Sequence, residues 1–130
     1  HPVVCLMEEQ KDLKELGATM RLGAWPCRLK PGTKVQACYK ERDISERHRH
    51  RYEFNNAFKD KLMESGMEFS GMSPSGDLVE IIELKKHPWY LGCQFHPEFT
   101  STPRGGHPLF TGLIEAALQH QQGELADEVA

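Results

Sequence analysis

Short apolar runs, each cut off by proline, glycine or a polar turn, allow this chain several strands but only one long amphipathic helix. Leu78 to Leu84 is rich in Val, Ile and Leu, as a half-buried strand is. Ser73-Pro74-Ser75-Gly76-Asp77 before it is a turn signal, and Met67 to Gly71 predicts a strand on the far side of that turn. His87-Pro88 breaks the chain ahead of Trp89 to Phe95, a further strand. Upstream, Met20 to Leu29 reads as a strand that Pro26 weakens in its middle or places at an edge. Pro31-Gly32 is a turn, Thr33 to Lys40 a short helical piece, and Ser45 to Phe54 a second extended run. Asn55 or Asn56 can cap a helix from Ala57 to Ser65, with Phe58 and Leu62 one turn apart and Gly66 as its stop. The long helix runs from about Pro108 to Gln121, where Leu109, Phe110, Leu113, Ile114, Ala117 and Leu118 form a single apolar stripe. The charged residues 8–16 read as a solvated loop, and the polar stretch 123–130 as a tail that frays. Four or five strands with two or three helices imply an α/β or α+β layered fold.

Composition narrows the function classes. With 130 residues, 38% of them hydrophobic, the chain can close one core. A net charge of −3 gives no polybasic field for nucleic acid or an anionic membrane. No apolar run approaches the roughly 20 residues of a membrane-spanning helix. The start, His1 to Met7, has no basic region or cleavage site and so is no signal peptide; lacking an initiating methionine, it reads as part of something longer. Cys5, Cys27, Cys38 and Cys93 show no Cys-x-x-Cys spacing, and read as small buried hydrophobes of a reducing compartment.

Three features carry possible chemistry. In Gln94-Phe95-His96-Pro97-Glu98-Phe99, alternation puts His96 on one face with Gln94 and Tyr90, while Phe95, Cys93 and Leu91 take the other. Glu98 can share the side of His96. A carboxylate beside an imidazole fixes its tautomer and raises its basicity, leaving the other ring nitrogen for proton transfer. A bare His-x-Glu is equally the pattern of a surface histidine with an acidic neighbour. Such a pair needs a nucleophile. Cys93 faces away, the other cysteines sit in no nucleophile elbow, and no Gly-x-Ser-x-Gly occurs, so the nucleophile is expected outside this chain. In Glu46-Arg47-His48-Arg49-His50-Arg51-Tyr52-Glu53, an extended backbone lines Arg47, Arg49 and Arg51 on one face and His48, His50 and Tyr52 on the other. Guanidinium groups suit bidentate capture of a carboxylate or phosphate, and His48 with His50 could ligate a metal from one strand but lack an obvious third ligand. The plainer reading is a solvated strand with ion pairs to Glu46 and Glu53. In Gly17-Ala18-Thr19-Met20-Arg21-Leu22-Gly23, glycines bracket a short strand and mark close backbone approach; no Gly-Lys-Ser/Thr follows, so it is no P-loop.

Together with Leu78-Val79-Glu80-Ile81-Ile82-Glu83 and His87-Pro88-Trp89, these features closely resemble the CTP synthase family, in the last portion of its C-terminal class I glutamine amidotransferase domain, over about residues 17–115. The resemblance implies an α/β fold: the later strands and final helix of a flavodoxin-like, mostly parallel sheet flanked by helices, with 1–130 forming a partial amidotransferase domain. It implies a Cys-His-Glu triad that hydrolyses glutamine, with His96 and Glu98 in two of its places and Arg51 in that of the arginine holding the α-carboxylate of glutamine. In the whole family enzyme the ammonia passes to a synthase domain, where ATP has phosphorylated UTP, and CTP results. That enzyme uses ATP and Mg, takes GTP as activator, and is implied to be a cytoplasmic homotetramer. This segment itself is assigned no cofactor and no metal. Its expected partners are glutamine and the missing N-terminal part of the enzyme with its UTP and ATP site, with neither nucleic acid nor a membrane.

The departures are equally informative. The family's nucleophilic cysteine, its oxyanion-hole amides and a further glutamine-binding acid lie upstream of anything present here, so the chain alone is expected to be inactive. Ala18 stands where the family motif usually has glycine, and Gln10 to Leu16 follows no family pattern. That segment lies near where the family senses GTP, so no GTP contact is carried over. Two other readings compete: a non-catalytic amidotransferase-like binding or regulatory module, and a small metal-binding domain using His48, His50 and His96.

Overall fold

A computed structural model describes residues 1–6 and 20–129, with the side chains of the last helix described as far as residue 123. The expected loop at 8–16, the segment tied to GTP sensing and the Gly17–Thr19 start of the glycine-bracketed motif lie outside the described residues. The elements run β1 (Val4–Cys5), β2 (Arg21–Leu29), α1 (Lys34–Tyr39), β3 (Asp43–His50), β4 (Glu53–Phe54), a 3₁₀ turn (Asn56–Phe58), α2 (Lys59–Glu64), β5 (Met67–Met72), β6 (Val79–Leu84), β7 (Leu91–Cys93), a second 3₁₀ turn (Pro97–Phe99) and α3 (Pro108–Val129). Five strands form one sheet in the order β3-β2-β5-β6-β7, and β1 pairs with β4 separately.

Local chemistry sets these elements. Thr33 caps α1: its hydroxyl oxygen accepts from the Gln36 N–H at 3.3 Å, and Lys40 ends the helix in the left-handed region at φ 60°. The buried Glu83 carboxylate on β6 accepts from the Lys34 and Val35 N–H groups at 3.0 and 3.2 Å, satisfying two further free amides of the first turn. Asn55 caps the next helical segment through the Ala57 N–H, as one of the two expected asparagines. That segment opens as a 3₁₀ turn before becoming α2.

Among the described strands every pairing is antiparallel, which differs from the mostly parallel sheet implied for the whole domain. The reason is connection length. β5, β6 and β7 follow one another through the Ser73–Asp77 turn and a six-residue link, and parallel neighbours need crossovers of a dozen residues or more. β2 pairs with β3 from Arg21 to Arg28 but with β5 only at Arg28↔Met72 and Leu29↔Gly71. Pro26 falls where β2 has β3 on one side and no described strand on the other, which is the edge position its missing N–H demands. Gly71 is required at this short joint, since a Cβ there would lie 2.7 Å from Ile81 and 3.0 Å from Cys27.

Cys27, Leu29, Val35, Ile44, Ile81, Phe95 and Leu109 form the core between the sheet and helices α1 and α3. α3 differs from its sequence reading in two ways. It runs on to Val129, beyond the expected end near Gln121. Of its apolar stripe, only Leu109 is buried, while Phe110, Leu113, Ile114 and Leu118 remain exposed. The helix docks instead through Leu109 and Gly112, the latter so close to Trp89 and Cys38 that a Cβ would lie within 2.7 Å of both.

Candidate active site

His96 ends the extended run after β7, and the 3₁₀ turn Pro97–Phe99 folds Glu98 back beside it. His96 Nδ1 and Glu98 Oε1 are 2.7 Å apart. Hydrogen bonding to His96 holds the Glu98 carboxyl below the usual range, so Glu98 is the acceptor and the imidazole proton sits on Nδ1. Nε2 is then the ring atom available for proton transfer. Phe99 stacks on the imidazole at 4.7 Å and 14°, and the His96 N–H donates to the Arg47 carbonyl at 3.0 Å. These contacts set one ring orientation. Both side chains reach solvent, as a group that meets a substrate must.

Arg51 is exposed in the turn between β3 and β4, four residues beyond the carbonyl that receives His96. The expected alternation of the basic segment holds as far as β3 runs: Arg47 and Arg49 are exposed, His48 is buried and His50 half-buried, but the strand ends at His50, and Tyr52, expected on the face of the histidines, is exposed in the turn. His48 Nδ1 and His50 Nε2 are 2.7 Å apart and bonded to each other, and no group of three His, Cys, Asp or Glu side chains suited to a metal occurs among the described residues.

Burial pushes Cys27 and Cys93 up to about 12 and raises Cys38 as well. Cys93 packs against the core and its thiol donates to the Phe95 carbonyl at 3.4 Å, in keeping with its expected orientation away from His96. An open apolar cavity of about 390 Å³ lies against β6 and β7, with Tyr52, Phe54, Ile82 and Gln94 among its walls.

Behind the dyad lies a buried charge cluster that sequence reasoning missed. Arg21 is 5% exposed and forks onto Glu80, with Nη1 at 2.6 Å from Oε1 and Nη2 at 2.6 Å from Oε2. Its Nε lies 2.8 Å from Glu53 Oε1, an ion pair by distance though not aligned as a hydrogen bond. One guanidinium therefore serves two buried carboxylates. Burial outweighs the pull of Arg21 and pushes Glu80 up to about 7, and it raises Glu53 too. Burial also pushes His48 down to about 3, so that ring is neutral. The signal was a charged residue inside each of two apolar strands, Met20-Arg21-Leu22 and Val79-Glu80-Ile81, but the two lie 59 residues apart.

The raised Glu80 gives a testable pH dependence. Between its ordinary value near 4.5 and its folded value near 7, the folded protein holds a proton there that the unfolded chain has lost. Its contribution to stability is therefore full below about pH 4.5 and is lost as pH rises to about 7. Relative to Glu80→Gln, the wild-type protein should lose stability over that interval. Urea midpoints of both proteins at pH 4.5 and 8 check this; a gap constant with pH would place the Glu80 pKa at its ordinary value.

The described residues thus place a histidine against a carboxylate on a turn leaving the sheet, with the second ring nitrogen unoccupied by that contact. Residues 2–116 match the glutamine amidotransferase class-I family, and the chain belongs to it. Within that family its relatives are CTP synthases. It is 61% identical over 119 residues to the CTP synthase of Synechococcus sp. (strain RCC307), covering 92% of this chain and 22% of that protein. It is 58% identical over 121 residues to the CTP synthase of Geobacter sulfurreducens, covering 93% and 23%. The chain thus spans less than a quarter of the length of these curated relatives. Among solved structures it matches the glutaminase domain of Trypanosoma brucei CTPS with bound acivicin, at a TM-score of 0.82 and 34% identity, over 92% of this chain and 47% of that one. Among the described residues no helix is long and apolar enough to cross a membrane.

Proposed function

We propose that these 130 residues supply the His–Glu pair and the glutamine-carboxylate arginine of the glutaminase centre in a CTP synthase, which aminates UTP to CTP at the expense of ATP with ammonia drawn from glutamine. The 2.7 Å contact between His96 Nδ1 and Glu98 Oε1 carries this reading, supported by relatives that are CTP synthases. In the reaction, His96 Nε2 takes the thiol proton of a cysteine from the remainder of the enzyme, and the resulting thiolate attacks the side-chain amide of glutamine. The C–N bond breaks as His96 Nε2 delivers its proton to the departing ammonia, leaving a thioester. His96 then takes a proton from water, which attacks the thioester carbonyl and releases glutamate and the thiolate. Glu98 keeps the ring in one tautomer and stabilises the imidazolium. Arg51 forks onto the α-carboxylate of glutamine. ATP with Mg, UTP and the activator GTP belong in this reading to the remaining polypeptide, which is a cytoplasmic homotetramer.

Two measurements test it. The purified 130-residue chain should hydrolyse no glutamine, because burial raises the Cys27, Cys38 and Cys93 thiols and the resemblance puts the nucleophile and the oxyanion-hole amides upstream; mixed with a separately expressed half carrying the nucleophile, it should regain some hydrolysis. Hydrolysis by the lone chain that is lost in Cys93→Ser would show Cys93 to be the nucleophile. In the full-length enzyme, Arg51→Ala should weaken glutamine binding by about 2–3 kcal/mol, as loss of a charge-assisted contact does, with ammonia-dependent CTP formation retained. An unchanged KM for glutamine would remove Arg51 from the site and leave Arg47 or Arg49 as the carboxylate ligand.

A further inference from the structure

The loop that carries His96 and Glu98 is tied at both ends to two neighbouring residues of β3. At its start, the His96 N–H reaches the Arg47 carbonyl. Beyond the turn that carries Glu98, the tie is the residue before Arg47. Glu46 is 4% exposed, and its carboxylate gathers three donors from three different elements. The Tyr39 hydroxyl at the end of α1 donates to Oε1 at 2.7 Å, His107 Nε2 just ahead of α3 lies 2.5 Å from the same oxygen, and the Thr100 hydroxyl shares its proton between Oε2 and the Pro97 carbonyl, each at 3.4 Å. Thr100 immediately follows the Pro97–Phe99 turn.

His107 is 4% exposed and its role follows from its partners. Nδ1 accepts the Leu109 N–H at 3.1 Å, so the ring proton sits on Nε2 and points at Glu46. The His107 N–H donates to Ser101 Oγ at 3.2 Å, and the Ser101 N–H donates back to the Pro97 carbonyl at 3.2 Å. Burial and the Glu46 carboxylate hold the Tyr39 phenol far above its usual range, so it stays a donor. A buried carboxylate is costly unless fully hydrogen-bonded, and these donors come from the elements that frame the loop.

We infer that Glu46, held by His107 and Tyr39, is a positioning residue: it anchors the loop from His96 to Ser101 so that the His96 ring presents Nε2 in one place. This rests on the glutaminase reading above. A displacement of the order of 1 Å in such a group costs about 100-fold in rate, while substrate binding through Arg51 is untouched.

The test compares His107→Leu, His107→Gln, Thr100→Val and His96→Ala in the full-length enzyme. His107→Leu removes the Nε2–H donor and should lower kcat for glutamine hydrolysis about 10- to 100-fold with KM within twofold. His107→Gln puts an amide N–H near the same place and should recover most of that loss. Thr100→Val leaves the buried pair intact, so it reads the anchor even if His107→Leu does not fold; it should lower kcat severalfold at unchanged KM. The inference is overturned if kcat is unchanged in folded His107→Leu or in Thr100→Val, if Leu and Gln lower it equally, or if the loss falls on KM. His96→Ala separates the two readings. If it leaves hydrolysis intact, the glutaminase reading fails; if it abolishes hydrolysis while the other variants match wild type, only the anchoring role fails.

Discussion

In the full-length enzyme, His96→Ala is expected to remove glutamine-dependent CTP formation by about 10²–10⁴-fold while ammonia-dependent formation continues near its wild-type rate. The size follows from the two tasks that the proposed mechanism gives the side chain in each turnover: protonating a leaving group that departs poorly as an amide anion, and activating the water that resolves the thioester. The selectivity follows from where it sits: a half-exposed ring on a turn, held by Glu98 at 2.7 Å and by one backbone hydrogen bond, with no share in the apolar core. Removing it leaves no cavity among packed side chains, so the fold and any synthase site elsewhere should persist. Assays with glutamine and with ammonium salts on the same preparation check this directly. Equal loss in both would make His96 a structural residue and would sink the assignment of the dyad.

Arg21→Leu should be the most damaging substitution for stability, costing about 3–5 kcal/mol. The side chain is almost fully buried and is the shared cation of Glu80 and Glu53, both of which would be left without a counter-charge in the interior. Glu80 can retreat by taking up a proton, being already poised near 7, which places the loss at the lower end of that range at acid pH and the upper end at alkaline pH. Arg21→Lys should fall between, because an ammonium cannot fork onto one carboxylate while also reaching the second. Denaturant titrations at two pH values measure both effects. A loss below about 1 kcal/mol for Arg21→Leu would mean that the three charges are solvated in solution.

The legible parts of the sequence were those with local causes. The short helix after Pro31-Gly32, the Asn55 cap, the Ser73–Asp77 turn, the Pro26 edge position and the alternation through Arg47, His48 and Arg49 each depend on residues within a few positions of one another. The pairing of His96 with Glu98 was legible for the same reason. What was illegible depends on distant partners. Glu80 and Glu83 fall in a run read only as a half-buried strand, but one finds Arg21 and the other the first turn of α1, and both are buried. The two-residue strand β1 carries too few residues for any periodicity; only its partner β4 defines it. The stripe on α3 was read correctly as apolar, yet Gly112 against Trp89 decides which side docks, and a missing side chain leaves no hydrophobic signal.

The short joint between β2 and β5 has a consequence for the behaviour of the site in time. Two backbone pairs connect the β2–β3 arm to the β5–β6–β7 arm, so the remaining cohesion rests on side chains and on the crossing of 94–96. Structures divided in this way tend to open sub-globally, one cooperative unit separating while each stays folded. The dyad hangs across that division: His96 and Glu98 follow β7 in one arm, and the carbonyl and carboxylate that fix their loop belong to the other. Under the proposed glutaminase function, only molecules with the arms closed would present the dyad, and an open fraction would weaken the apparent affinity for glutamine in proportion. Substrate or a neighbouring domain bridging the two arms would raise the competent population without altering a single catalytic contact.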